Sequence, residues 1–102
     1  MTKYTLYLGL NDKNTKSQII ELNEAIRIMY SIVSDYTDGC TMYTADGMYK
    51  HEDGTIVCEK TLVIELLFTN RQAVKAIINE LKDIFNQESI AVQKQEVTSE
   101  LW

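Results

Sequence analysis

Residues 40–68 read CTMYTADGMYKHEDGTIVCEKTLVIELLF, and the way this stretch folds back on itself decides the fold. Cys40 to Lys50 reads as one strand, with Asp46-Gly47 marking a bulge or kink inside it. His51-Glu52-Asp53-Gly54 is a hairpin turn, with Gly54 suited to a positive φ. Thr55 to Phe68 is then a long second strand. Ile56, Cys58, Leu62, Ile64, Leu66 and Phe68 alternate onto one face, interrupted by Lys60, which predicts a core face. Val57, Glu59, Thr61, Val63, Glu65 and Leu67 take the other. That mixture of apolar and acidic side chains suits a surface that is solvated or shared with a partner.

Outward from the hairpin, each flank repeats one pattern. On the N-terminal side Tyr4, Leu6, Leu8 and Leu10 alternate with Thr5, Tyr7 and Gly9, which is a strand ended by Asn11-Asp12-Lys13-Asn14. Thr15 and Gln18 have capping-box spacing and predict a helix from about Lys16 to Ser34. Ile19, Leu22, Ile26, Met29, Val33 and Tyr36 form its apolar stripe. On the C-terminal side Thr69 and Gln72 repeat the capping spacing, ahead of a helix near 70–86 with Val74, Ile77, Ile78, Leu81 and Phe85 inward. Ser89 to about Val97 is a polar edge strand. The order β-α-β-β-α-β predicts one α+β domain over residues 1–102, a ferredoxin-like sandwich with two helices on one face of a four-stranded antiparallel sheet. The opposite face is left open.

Composition narrows the partners. A net charge of −5 with scattered Lys and Arg argues against a nucleic-acid binder, which needs clustered cations against phosphates. The chain has no ~20-residue apolar run for a membrane span, and its N-terminus lacks a signal-peptide core, so a cytoplasmic protein is expected. Cys40 and Cys58, in a cytoplasmic chain, read as buried small hydrophobes rather than a disulfide. With His51 they lack the paired spacing of a zinc site, so no metal and no cofactor is expected. No nucleophile-base pair stands out, and catalytic residues are not assigned. Glu59 and Glu65 share a strand face but lie about 20 Å apart along it, too far to act on one bond. A carboxylate working with Tyr7 or Tyr49 across neighbouring strands is the remaining catalytic arrangement.

Several short motifs resemble a known family. Leu6-Tyr7-Leu8-Gly9-Leu10, then Tyr49 through Glu59 with Leu62-Val63-Ile64, and Phe85-Asn86-Gln87-Glu88-Ser89-Ile90 are similar to a domain-of-unknown-function family of small bacterial and phage proteins. The resemblance spans Leu6 to Val92. Tyr49 stands where Trp is common in that family, and Cys58-Glu59-Lys60 where an Arg-Glu-Pro-like run is common. The resemblance implies the ferredoxin-like fold and a mobile-element origin, and carries no activity. It singles out Tyr49, Glu59, Gln87, Glu88 and Ser89 for testing, with local hydrogen bonds in the helix-to-strand turn as the structural role of Glu88 and Ser89.

Two functional readings follow. The first is a non-enzymatic interaction domain that self-associates, as a homodimer, through the open face or strand edges, burying Tyr7, Val57, Val63 and Leu67. Trp102 would dock on the body or a neighbour. A basic host protein is the outside partner this acidic chain would suit. The alternative is a small-molecule or nucleotide binder, or a small enzyme, with its pocket between the open face and the Tyr49–Glu59 hairpin.

Overall fold

β1 (Thr2–Gly9) is a central strand, hydrogen-bonded on both sides, and the sheet is built outward from it. Residues 1–50 and 52–102 are described in the computed structural model. β2 (Thr41–Lys50), β3 (Ile56–Leu66) and β4 (Ala91–Glu96) complete an antiparallel sheet in the order β2-β3-β1-β4. Leu6 faces Ile64 and Leu8 faces Leu62 across the β1–β3 ladder. Those four side chains, with Leu66, are fully buried beneath α1 (Leu22–Ser34) and α2 (Arg71–Ile84). The alternation therefore does what its period requires: one face packs on helices and the other is left open. The arrangement is α+β and ferredoxin-like, as the sequence predicts.

Both helices start later than the capping spacings suggest. α1 buries Ala25, Met29, Ile32 and Val33, a stripe at helical spacing. Its cap is Glu21, whose carboxylate accepts from the Glu24 N–H at 3.3 Å. Thr15 starts no helix: its hydroxyl accepts from the Ser17 N–H at 3.3 Å within a loop that Asp12 organises, the Asp12 Oδ1 accepting from Asn14 N–H at 2.8 Å and Thr15 N–H at 3.0 Å. Residues 11–18 thus form a tight loop, closed by an Asn11–Gln18 bridge and Asp12 N–H donating to the Ser17 carbonyl. Ile19 is consequently exposed rather than part of the stripe. α2 is capped by Asn70, whose Oδ1 accepts from Ala73 N–H at 2.9 Å, and not by Thr69.

The central hairpin also departs from expectation, for a reason of length. The 14 residues of α2 rise about 21 Å, whereas the 11 residues of β3 span about 36 Å. The strands overrun the helices, and the molecule is drawn out to 48 × 24 × 22 Å. Leu62, Ile64 and Leu66 lie over the helices, but Ile56 and Cys58, assigned to the core from their alternation, are exposed. Cys40 and Cys58 are both free thiols, the first half-buried. Phe68 is exposed too, in a left-handed conformation (φ 54°) that turns the chain out of β3. No bulge occurs at Asp46-Gly47: Asp46 pairs with Lys60 and Gly47 with Glu59 in unbroken register. Lys60, which interrupted the apolar alternation, bonds Asp46 across the strands at 2.6 Å. Gly54 has the positive φ expected of it (90°), and His51 lies outside the described residues.

The last residues differ as well. Leu101 and Trp102 are exposed and do not dock on the body of the chain. Capping supplies the sharpest check on these assignments. Asn70→Ala is expected to lower stability by about 1 kcal/mol in urea denaturation, while Thr69→Ala changes it by much less. Ile77→Ala, which empties a fully buried position, should cost about 2–5 kcal/mol in the same measurement.

Candidate functional site

Glu59 projects from β3 onto the open face, in phase with Val57, Thr61, Val63 and Glu65. Glycines flank it on both neighbouring strands: Gly47 is its partner in β2, and Gly9 lies diagonally on β1, opposite Thr61. Its side chain lies across the end of β1. A Cβ placed on Gly9 would sit 2.5 Å from the Glu59 Cδ and Oε1 atoms, well inside contact distance. There Oε2 accepts the Asn11 N–H at 2.9 Å, a donor that the strand ladder has left behind. Glycine inside a strand commonly marks such a close approach.

Asn11 opens the 11–18 loop, and that loop is fastened to the end of α2. Beyond the α2 C-cap Phe85, Asn86 adopts φ 48°, Asn86 N–H donates to the Asp83 carbonyl and Gln87 N–H to the Lys82 carbonyl. This is a Schellman ending, with Asn taking the left-handed position. Asn86 then donates through Nδ2 to Asp12 Oδ2 at 2.9 Å and accepts from Lys13 N–H, while Gln87 Nε2 donates to the Asn11 carbonyl at 2.6 Å. The bonds of this turn therefore come from Asn86 and Gln87, not from Glu88 and Ser89, which are exposed. Residues 11–13 and Lys16, Tyr49 and Glu59 on adjacent strands, and residues 87–89 line a cleft of about 380 Å³. That volume falls within the range of about 300–1,000 Å³ typical of small-molecule sites.

The lining is amphoteric. Asp12, Glu59 and Glu88 supply carboxylates, Lys13 and Lys16 supply cations, and Tyr49 supplies an aromatic wall. Lys16 is held in a left-handed conformation (φ 62°), with its ammonium donating to the Lys13 carbonyl. A second cleft of about 420 Å³ adjoins the first and shares Asn11, Lys16 and Glu59 with it. Glu59 is thus the carboxylate common to both. Among the described residues no cluster of His, Cys, Asp and Glu has the make-up of a metal site.

Of the residues singled out from the sequence, Tyr49, Glu59, Gln87, Glu88 and Ser89 come together in this cleft. Tyr49 stands opposite Val57 and so is a diagonal neighbour of Glu59, about 7–8 Å away along the ladder. Tyr7 and Glu65 lie elsewhere on the open face. The Tyr7 hydroxyl donates to Gln93 at 3.0 Å, and Glu65 pairs with Lys3 at 3.1 Å. Val63, flanked by Tyr7 and Tyr43 across the ladders, is already buried within the chain, while Val57 and Leu67 are half-buried. The sequence reading passed over Gly9, Asn11, Lys13 and Lys16. Two signals could have found them: a glycine inside an alternating strand, and the Asp12-x-Asn14-Thr15 spacing, which lets Asp12 hold the turn on into residues that were assigned to a helix start at Thr15.

Comparison with known families matches residues 3–101 to the family described as a protein of unknown function (DUF3574). The chain belongs to that family. No curated protein matches the chain. Among solved structures, this DUF3574 member is similar to a phage SAM lyase in complex with S-methyl-5′-thioadenosine, with 20% identity and a TM-score of 0.70 over 93% of this chain and 80% of the other. It is also similar to a phage SAM lyase in the apo state, with 17% identity and a TM-score of 0.67 over 99% and 91% of the two chains. At these identities the likeness establishes the fold. Both neighbours are enzymes, which contradicts the leading expectation of a non-enzymatic interaction domain and agrees better with its alternative, a small-molecule or nucleotide binder or a small enzyme. No helix among the described residues is long and apolar enough to cross a membrane.

The loop that forms one wall carries its own pH signature. Hydrogen bonds from Thr15 N–H, the Asn86 amide and Asn14 N–H hold the Asp12 carboxyl below its usual range. A lowered folded-state value means the loop is supported fully above the ordinary aspartate pKa and loses that support as pH falls through the lowered one. The Thr15 amide resonance should therefore titrate with a midpoint below about 3.9. Asp12→Ala should abolish that titration, and a midpoint at or above the ordinary value would contradict the bonding described.

Proposed function

We propose that this chain is a small enzyme of the S-adenosylmethionine lyase type, with the Tyr49–Glu59–Ser89 cleft as its ligand site. One observation carries the reading. Residues picked out by separate sequence motifs converge on one cleft, in a fold shared with a lyase that has been seen bound to S-methyl-5′-thioadenosine.

The chemistry fits an amphoteric site. S-methyl-5′-thioadenosine is what remains of S-adenosylmethionine when the bond between sulfur and the aminobutyrate carbon breaks. The bonding pair goes to sulfur, the thioether leaves neutral, and an oxygen of the substrate's own carboxylate bonds to the carbon in its place, closing a lactone with no proton to move. Sulfur then needs no proton, so the site needs no general acid. What it must do is bind, orient and exclude water. Because the positive charge on sulfur is lost as the bond breaks, a carboxylate against sulfur would favour substrate over transition state. Glu59 is therefore assigned to the substrate ammonium group, which keeps its charge throughout. The Tyr49 ring offers a stacking surface for adenine.

Incubation with S-adenosylmethionine, followed by chromatography of S-methyl-5′-thioadenosine, tests the reading. The wild-type chain should release the thioether faster than buffer does, and Glu59→Gln should weaken S-adenosylmethionine binding at least tenfold, about 1.4 kcal/mol. Absence of both release and thermal stabilisation by millimolar S-adenosylmethionine or S-methyl-5′-thioadenosine would end it.

A further inference from the structure

We infer that Gly9 is a positioning residue for the Glu59 carboxylate, its missing side chain leaving the slot in which that carboxylate is held. The inference deepens the proposed function and rests on it for the ligand. Its structural part stands alone.

The slot has three sides. Glu59 is borne on β3, Gly47 faces it from β2, and Gly9 lies beneath its carboxylate on β1. A Cβ on Gly9 would overlap the carboxylate, with distances of 2.5 Å to Cδ and Oε1 and 2.7 Å to Oε2. No backbone or core atom obstructs such a Cβ more closely: its three nearest neighbours all belong to the free end of the Glu59 side chain. Gly9 also has none of the positive φ that strains other residues, a conformation confined among the described glycines to Gly54.

Those facts separate folding from function. The backbone of position 9 is in a region open to any residue, and a glutamate can relieve the overlap by turning away. Turning away, however, breaks the bond from Asn11 N–H and removes the carboxylate from the place where both clefts share it. Gly9→Ala is therefore a substitution that the fold tolerates and the site does not. A glycine needed only for strand packing would show the reverse, with lost stability and an unmoved carboxylate.

The test compares wild type, Gly9→Ala, Glu59→Ala and the double variant. It reads thermal stability, hydrogen exchange at the Asn11 amide, and binding of S-methyl-5′-thioadenosine and S-adenosylmethionine by calorimetry. In wild type the Asn11 amide, held by the Glu59 carboxylate, should be protected from exchange. In Gly9→Ala the melting temperature should hold, that protection should fall to the level of Glu59→Ala, and S-adenosylmethionine binding should weaken about tenfold or more. On the Glu59→Ala background, Gly9→Ala should add nothing to either readout. An Asn11 amide as well protected in Gly9→Ala as in wild type would overturn the inference, and so would an equal loss of binding on the Glu59→Ala background. If the Asn11 protection falls in Gly9→Ala while wild type binds neither compound, Gly9 still positions Glu59 and it is the proposed ligand class that fails.

Discussion

Burial of Leu6, Leu8, Leu62, Ile64 and Leu66 beneath two helices is the constraint on which the rest of the molecule depends. Strand side chains alternate with a period of two, so committing these residues to the helices commits their neighbours to the other face. Lys3, Thr5, Tyr7 and Gly9 are placed there by β1, and Val57, Glu59, Thr61, Val63 and Glu65 by β3. A slip of one residue in the β1–β3 pairing would turn Glu59 toward the apolar layer and Leu62 outward. The orientation of the candidate site is therefore fixed by residues that touch none of its ligand groups.

The second dependence runs between the ends of elements. β1 stops at Gly9, and the chain passes at once into a loop whose donors and acceptors are matched by the α2 ending. Asp12 serves both, accepting from its own loop through one oxygen and from Asn86 through the other. Gln87 closes the same junction onto the Asn11 carbonyl. With Asn11 N–H given to Glu59, this short junction joins the first strand, the second helix and the central hairpin. The side of the cleft made by this loop, the α2 ending and Glu59 is held by these bonds before any ligand arrives, which limits the ordering cost of binding.

How much of this could be read from sequence depended on whether a residue's neighbours were local. The alternation of Leu6–Leu10 and Leu62–Leu66 and the helical spacing of Val74–Phe85 named the core directly. Thr15-x-x-Gln18 was misread because capping spacing records which polar groups are available, not which one wins. Thr15 does accept from the Ser17 amide, but Asp12 holds the Asn14 and Thr15 amides and bends the chain into a loop instead of a helix. Ile56 and Cys58 were misread because alternation reports a face, not whether a helix extends far enough to cover it. The site behaved likewise. Tyr49, Glu59 and Gln87–Ser89 stood out in short motifs, whereas the function of Gly9 exists only in relation to a side chain fifty residues later.

The overrun of the hairpin past the helices divides β3 into two mechanical regimes. At Leu62–Leu66 the strand is backed by core, and opening a hydrogen bond there means disrupting the whole domain. At Ile56–Cys58 the ribbon has no apolar layer under it, so opening is local. Glu59 sits close to the boundary, with Tyr49 on the unbacked ribbon and Gln87 beside the backed body. A molecule that grips both walls is thus a clasp between a hinge leaf and its frame. Its binding should appear as slowed amide exchange in the ribbon, with little change in the core, which already exchanges only through global unfolding.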